Sequence, residues 1–587
     1  WENVTISAAF TRLTLTVGNY VGILGAGSYN ALSWTNVTIV ADHVNVTSTA
    51  QNTVGVLGSG SSSAITWNDV IVSATVVNAK STASNSAGLF GAGSNNVVRW
   101  TFVMVCAQLV TVTSAANNYV GNFGSGSGSA ATWTNVTVST ADTTVTSTAQ
   151  SSIGVLGAGS DVAVTWTNVT VTAAVVTARS TAVNGVGVLG AGSGGGVTWT
   201  NVTVTTGFVN VTSTARNYVG IVGAGSNYGV TWTNVAVTAA VVNATSTASN
   251  RVGLVGAGSK SVNWSIVTLA ASRVAVASTV NDGTGILGAG GENAVTWSSV
   301  SVAAAGLTLS AAGRNSLGIL GGGSDNGVVL WTNVTIAVSG SHIKAKGGTA
   351  VGILGGGSDA DVAAVGAVAS ALWLNVDVVL VDSTVASEQV GVAGLLGAAV
   401  VAHNGKLPVN RSSISWHNVV VVAAASDVTV HTTSGLTAVL GAAADASEWF
   451  GVFAGATERN RLLVRVGVAG GYVLGARGVW SDVTLANESA TIDSNSSVLC
   501  SNHTIEKCDP ASPLANSRVL ALIACVREMD PSANSLCPRL LTATGTITTA
   551  TVSTTEAAAP SPTTFLSSPA PAMESTENEV TSGASSS

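Results

Sequence analysis

The carboxylates best placed to act together are Asp325, Asp359 and Asp361. Asp325 and Asp359 each close a Gly-Gly-Gly-Ser-Asp run, and His342, Lys344 and Lys346 fall between them. Polysaccharide lyases and hydrolases use such clusters as calcium ligands or as an acid and base pair beside a cation. These three are therefore the candidate catalytic residues of a polysaccharide-active enzyme. The competing reading is plainer: an aspartate after Gly-Ser is a turn residue, as Asp161 is expected to be. That reading is preferred, so no catalytic residue is assigned. Ser-His-Asp, phosphate-loop and helical metal-binding patterns are absent, the six histidines are scattered, and no cofactor or metal is expected.

Three other residue types carry possible chemistry. Cys500, Cys508, Cys525 and Cys537 gather in one segment without a Cys-x-x-Cys spacing, which favours two disulfides over zinc and leaves three pairings open. Cys106 stands alone and is expected to be an unpaired thiol. Sequons occur in the repeats at Asn36, Asn45, Asn135, Asn168, Asn201, Asn210, Asn243 and Asn333, and also at Asn3, Asn263, Asn410, Asn487, Asn495 and Asn502. They are candidate glycosylation sites in a secreted chain. The alternative is an asparagine ladder between repeats. Outward Thr-x-Thr pairs, as at Thr146/Thr148, Thr212/Thr214 and Thr245/Thr247, resemble the flat face of ice-binding β-helices. Their plain reading is that threonine suits an exposed strand.

What positions these residues is a repeat. Trp34, Trp67, Trp100, Trp133, Trp166, Trp199 and Trp232 stand 33 residues apart, and Trp264, Trp297 and Trp331 follow after 32, 33 and 34. A recurring Val-Gly-x-Leu-Gly-Ala-Gly-Ser keeps the same time. A fixed period of this size means stacked units that bury their apolar faces only against their neighbours. Valine and threonine dominate while the helix formers of exposed faces are scarce, so the unit is β. Within residues 217–250 three apolar segments, Tyr218–Val222, Trp232–Thr238 and Val241–Ala248, are separated by turn-forming residues. The fold class is therefore all-β, a right-handed parallel β-helix with about 33 residues and three strands per coil, rising about 4.8 Å per coil.

Alternation points Val169 and Val171 inward and Asn168 and Thr170 outward. Counting back by two puts Trp166 outside. A bend between Trp166 and Asn168 that turns the indole inward is preferred over an exposed indole stripe, with a corner carbonyl accepting the N–H. In the glycine segment both parities are apolar or glycine: either something covers that wall, or backbones approach closely there.

The regular block runs to about residue 360. Trp373 and Trp416 then follow after 42 and 43 residues, with inserts near 363–369 and 402–408 that are expected to be loops on one face. The solenoid is expected to span 1–485, followed by a small disulfide-bearing cap at 486–541 and a disordered Thr/Ser/Pro-rich stalk or linker at 542–587. The apolar run from Val519 to Val526 is too short to cross a membrane. The chain opens within a repeat, so it is expected to be part of a longer protein. Charged residues are only 8%, and a net charge of −7 over 587 residues leaves no basic patch for nucleic acid.

The repeat block, the cysteine-bearing segment and the Thr/Ser/Pro tail together resemble the repetitive surface proteins of kinetoplastid protists, above all the dispersed gene family surface proteins. The resemblance implies a pectin-lyase-like β-helix ectodomain at the cell surface, tethered by transmembrane helices beyond Ser587. Bacterial adhesins with β-helical passengers are similar too. The expected function is a rigid, non-enzymatic surface or adhesion ectodomain, with extracellular glycans or proteins as partners. The alternatives are the polysaccharide-active enzyme and an ice-binding or glycan-binding surface.

Overall fold

The computed structural model describes residues 1–498 and 517–528, apart from short stretches such as 84–85, 183–184, 325–327 and 362–368; residues 499–516 and 529–587 lie outside the description. The chain winds as a parallel β-solenoid of about 11 turns with about 33 residues in each, continued by coils of other lengths. Successive coils pair in parallel and in register, like residue on like: Trp133 lies on Trp166, Val136 on Val169 and Ser147 on Ser180.

One coil shows how the sequence makes this path. Two short strands, Tyr218–Gly220 and Ala224–Ser226, precede a single long strand, Gly229–Thr247, of 19 residues. The expected division into three similar strands is thus corrected. The second and third segments are one strand, because each corner is made by successive outward residues that interrupt the alternation without breaking the ladder. The Gly-Ala-Gly-Ser stretch, read as a turn, contains a strand of its own.

The first corner is the bend that the indole required. Asn168, Asn201 and Asn234 all sit at a φ of 53–54°, the left-handed region in which asparagine is among the few tolerated side chains. Such a residue places Thr167 and Asn168 outside in succession, so that Trp166 and Val169 both point in. A second corner lies nine residues after the tryptophan. In some coils it too takes positive φ, at His43, Arg273, Gly306 and Gly340, and there the long strand splits, as into Leu32–Asp42 and Val44–Thr49.

The two short strands are buried on both faces, and the reason is close backbone approach. A Cβ on Gly225 would lie 2.4 Å from the Val219 carbonyl oxygen, and one on Gly220 would lie 2.0 Å from that of Ala191. The glycines let these strands press backbone to backbone, a spacing no side chain permits. The second of the two readings of that wall is therefore the one observed.

Against this partition stands the tryptophan column. From Trp1 to Trp416, successive indoles stack with centroids 4.6–4.9 Å apart and planes within 2–9° of parallel. Strand register continues the column to Trp449 and Trp480, so all 15 tryptophans of the chain occupy one position. The rings from Trp34 to Trp416 are fully buried, and aromatic pairs of this kind add about 0.5–1.5 kcal/mol each beyond burial.

The expected corner carbonyl does not receive the indole N–H. Trp67 donates to Ser59 Oγ at 2.9 Å and Trp133 to Ser125 Oγ at 3.2 Å, whereas the Nε1 atoms of Trp100, Trp166, Trp199 and Trp232 find no partner among the described residues. The register explains the difference. Ala92 and Ala158 occupy the position of Ser59 and Ser125 in their own coils, and alanine has nothing to accept with. Ala158→Ser is therefore expected to give Trp166 an acceptor and to raise stability by about 1 kcal/mol, read as a higher urea midpoint. Gly187→Ala, whose Cβ would lie 2.1 Å from the Ala158 carbonyl oxygen, is expected to lower that midpoint sharply.

Candidate interaction surface

Each long strand presents two outward walls after its first corner. On the last wall the exposed positions form three columns, and their register is continuous. The outermost column carries Thr148, Thr181, Thr214 and Thr247; the next Thr146, Arg179, Thr212 and Thr245; the third Thr144, Thr177, Asn210 and Asn243. With coils 4.7–4.9 Å apart in this stretch and alternate strand residues about 6.6 Å apart, the wall is a near-rectangular grid of hydroxyl and amide groups. Arg12, Lys80 and Arg179 are the cations within its first seven coils.

The middle wall changes character along the solenoid. In the regular coils its outward residues are Thr170, Thr172, Thr203 and Thr205; later the outward positions become Ala303, Ala337, Val379, Val381, Val420, Val422, Ala424 and Phe453. These are buried under Ile523 and Val526 of a helix, α1 (Ser517–Glu528). Arg527 Nε donates to Asp382 Oδ2 at 2.9 Å and pins the helix to the second corner. The run from Val519 to Val526 is thus a helix lying along the side of the solenoid, and this described part of the expected cap does not cover its end. Sequence reasoning missed this docking. The signal was present in the exchange of outward threonine for alanine and valine.

The first-corner asparagines form a ladder. Asn168 Nδ2 donates to Asn135 Oδ1, Asn201 to Asn168 and Asn234 to Asn201, each at 2.9 Å. The same bond joins Asn36 to Asn3, Asn375 to Asn333 and Asn418 to Asn375 at 3.0 Å. Asn234, Asn375 and Asn418 belong to no sequon, so the position selects asparagine for the corner. Of the glycosylation candidates, Asn36, Asn135, Asn168, Asn201 and Asn333 are ladder members, while Asn45, Asn210 and Asn243 stand exposed on the last wall. Asn263 is exposed beside Trp264, Asn410, Asn495 and Asn502 lie outside the described residues, and Asn487 is placed by its backbone alone.

The side chains of the candidate catalytic trio, Asp325, Asp359 and Asp361, lie outside the described part of the structure. Asp325 lies outside the described residues. Asp359 and Asp361 are on the strand Gly356–Asp361, opposite Val401 and His403 in register, and their side chains are outside the description. Lys346 has its carboxylate in Glu388 at 3.9 Å. Of the two inserts, 362–368 lies outside the description, while the other forms a small antiparallel pairing of His403 with Pro408 and Asn404 with Leu407.

Among the described residues no three of His, Cys, Asp or Glu are grouped to hold a metal ion, and no helix is long and apolar enough to cross a membrane. Cys106 is a free thiol whose pKa burial pushes up. Cys525, half-buried on α1, is engaged rather than free; Cys500, Cys508 and Cys537 lie outside the described residues. No protein-family model, curated protein or solved structure matches this chain.

Ile523→Asp would bury a carboxylate against valine and is expected to release α1. Hydrogen exchange should then show residues 517–528 losing protection while the coils between Trp100 and Trp232 keep theirs. Arg527→Ala, which removes an exposed ion pair, should cost under about 1 kcal/mol.

Proposed function

We propose that this chain is a rigid, non-enzymatic surface or adhesion ectodomain whose last wall is its contact face. The observation that carries the reading is the grid itself: exposed hydroxyl and amide groups held in register on a ladder whose coils also stack their indoles. A surface of this kind offers many weak, evenly spaced hydrogen bonds, and its stiffness spares the ordering entropy that a flexible binder loses on contact. Extracellular glycans or proteins are the partners that suit it, and nucleic acid is not. The extracellular placement, the membrane anchor outside this chain and the kinship with the dispersed gene family surface proteins belong to the same proposal. So do two disulfides among Cys500, Cys508, Cys525 and Cys537, and a right-handed winding, the sense taken by nearly all parallel crossovers. The regularity of the grid also favours one second reading, an ice-binding or glycan-binding plane.

The test is binding of the intact chain to a panel of defined glycans and matrix proteins. Thr212→Glu with Thr245→Lys changes two exposed positions so that charges alternate in sign from Arg179 onward, and stability should move by under about 0.5 kcal/mol each. Binding is expected to fall at least tenfold in this variant and to persist in Thr170→Glu with Thr203→Lys on the other wall. Equal binding by all three chains, or none by any, would remove the proposal. Cleavage of a uronic-acid polymer, abolished by Asp359→Asn with Asp361→Asn, would replace it with the enzyme. Thermal hysteresis lost only in the Thr212/Thr245 variant would single out the ice-binding plane.

A further inference from the structure

A second column, inside the coil, has no part in that reading. From Ser48 to Ser278, eight successive coils place a serine at the same inward position of the last wall, among them Ser147, Ser180 and Ser213, each stacked on the next in register. These side chains are at most 2% exposed, and their hydroxyls have no partner among the described residues. A single orphaned hydroxyl is an accident of packing; eight in line at one position of the repeat require a common cause, because each would carry the full desolvation cost of a polar group.

We propose that the serine column binds a single file of water molecules, one between each pair of coils. The spacing is the argument. In this stretch the stacked indoles are 4.7–4.9 Å apart, the strand spacing of a sheet, and no serine hydroxyl of the column bonds to its copy in the next coil. A water about 2.8 Å from each oxygen spans that gap with an angle of about 118° at the water, close to tetrahedral. Each serine then donates to the water on one side and accepts from the water on the other, so the hydroxyls align in one direction and polarise one another along the file. Room is provided by the residue two positions on, which faces the same way and is alanine in coil after coil, as at Ala116, Ala149 and Ala182. Valine or leucine there would fill the space that water requires. In the coil of Ser278, Thr284 takes the place of Val252 in the adjoining short-strand column, and its hydroxyl too is buried without a partner among the described residues. Thr284 puts a polar group where the coils on either side keep an apolar residue.

The decisive measurement is the sign of a stability change. Removing a dry, orphaned hydroxyl relieves a cost, so in a dry column Ser180→Ala raises the urea midpoint. In a hydrated file the same change strips the waters on either side of one partner each and lowers it. The file further requires Ser180→Ala and Ser213→Ala, which border one water, to be less than additive, while Ser81→Ala and Ser213→Ala, four coils apart, add. An unchanged or raised midpoint, or strict additivity of the neighbouring pair, overturns the proposal. A high-resolution crystal structure of the unaltered protein checks it independently: a row of solvent peaks at the coil spacing beside the serines supports it, and continuous absence of density there overturns it.

Discussion

In-register stacking is the constraint on which every other feature of this solenoid depends. The hydrogen-bonded ladder sets the distance between coils, and the indole separation of 4.6–4.9 Å matches the spacing of strands in a sheet. Rings this close to parallel can stack at that distance without tilting the strands, so side chain and backbone ask for the same rise. A position in the repeat is therefore tested against its own copy in the next coil. Tryptophan, valine, asparagine and threonine each tolerate that company.

Charge does not, and this accounts for a composition that looks odd in isolation. Two like charges about 4.8 Å apart repel by about 1 kcal/mol in bulk water and by several at the effective dielectric of a protein surface. Repeated over many coils, a charged column would outweigh the stacking it accompanies. The cations that do occur are placed singly. Lys80 lies between Thr47 and Thr113, Arg179 between Thr146 and Thr212, and Lys346 lies opposite Glu388. The scarcity of charge, only 8% of residues, follows from register and says little about the partner.

The period, the strand type, the parallel winding and the inward valines were legible in the sequence because all of them express a spacing. The parity of Trp166 against Asn168 even demanded a bend. What spacing could not show was how the bend is made, since a left-handed dihedral leaves no periodic trace. The same corner also accepts Asp69, Phe102, Ile266 and Ser299, where the ladder's geometry overrides local preference. The paired short strands were hidden for a different reason: a glycine written for close backbone contact looks the same as a glycine written for a turn. Helix α1 was hidden because its binding wall lies more than 60 residues before it in the chain. It could be read only by comparing outward positions between coils, Thr172 against Ala303 or Val379.

The asparagine corner shows how two structural demands can imitate a functional motif. The corner needs a residue that accepts positive φ and can bond to its copy, which asparagine does. Two residues later the strand needs an outward side chain suited to an exposed sheet, which threonine supplies. Together they spell a sequon at Asn168 and Asn201 without any selection for sugar. Where another residue holds the second position, as Ala236 after Asn234 or the buried Asp377 after Asn375, the sequon vanishes and the ladder bond remains. At Asn210 and Asn243 the first demand does not apply: these residues lie outside both corners, exposed on the last wall. A sequon there owes nothing to the corner, so those positions, rather than the more numerous ladder asparagines, bear on whether the wall carries sugar.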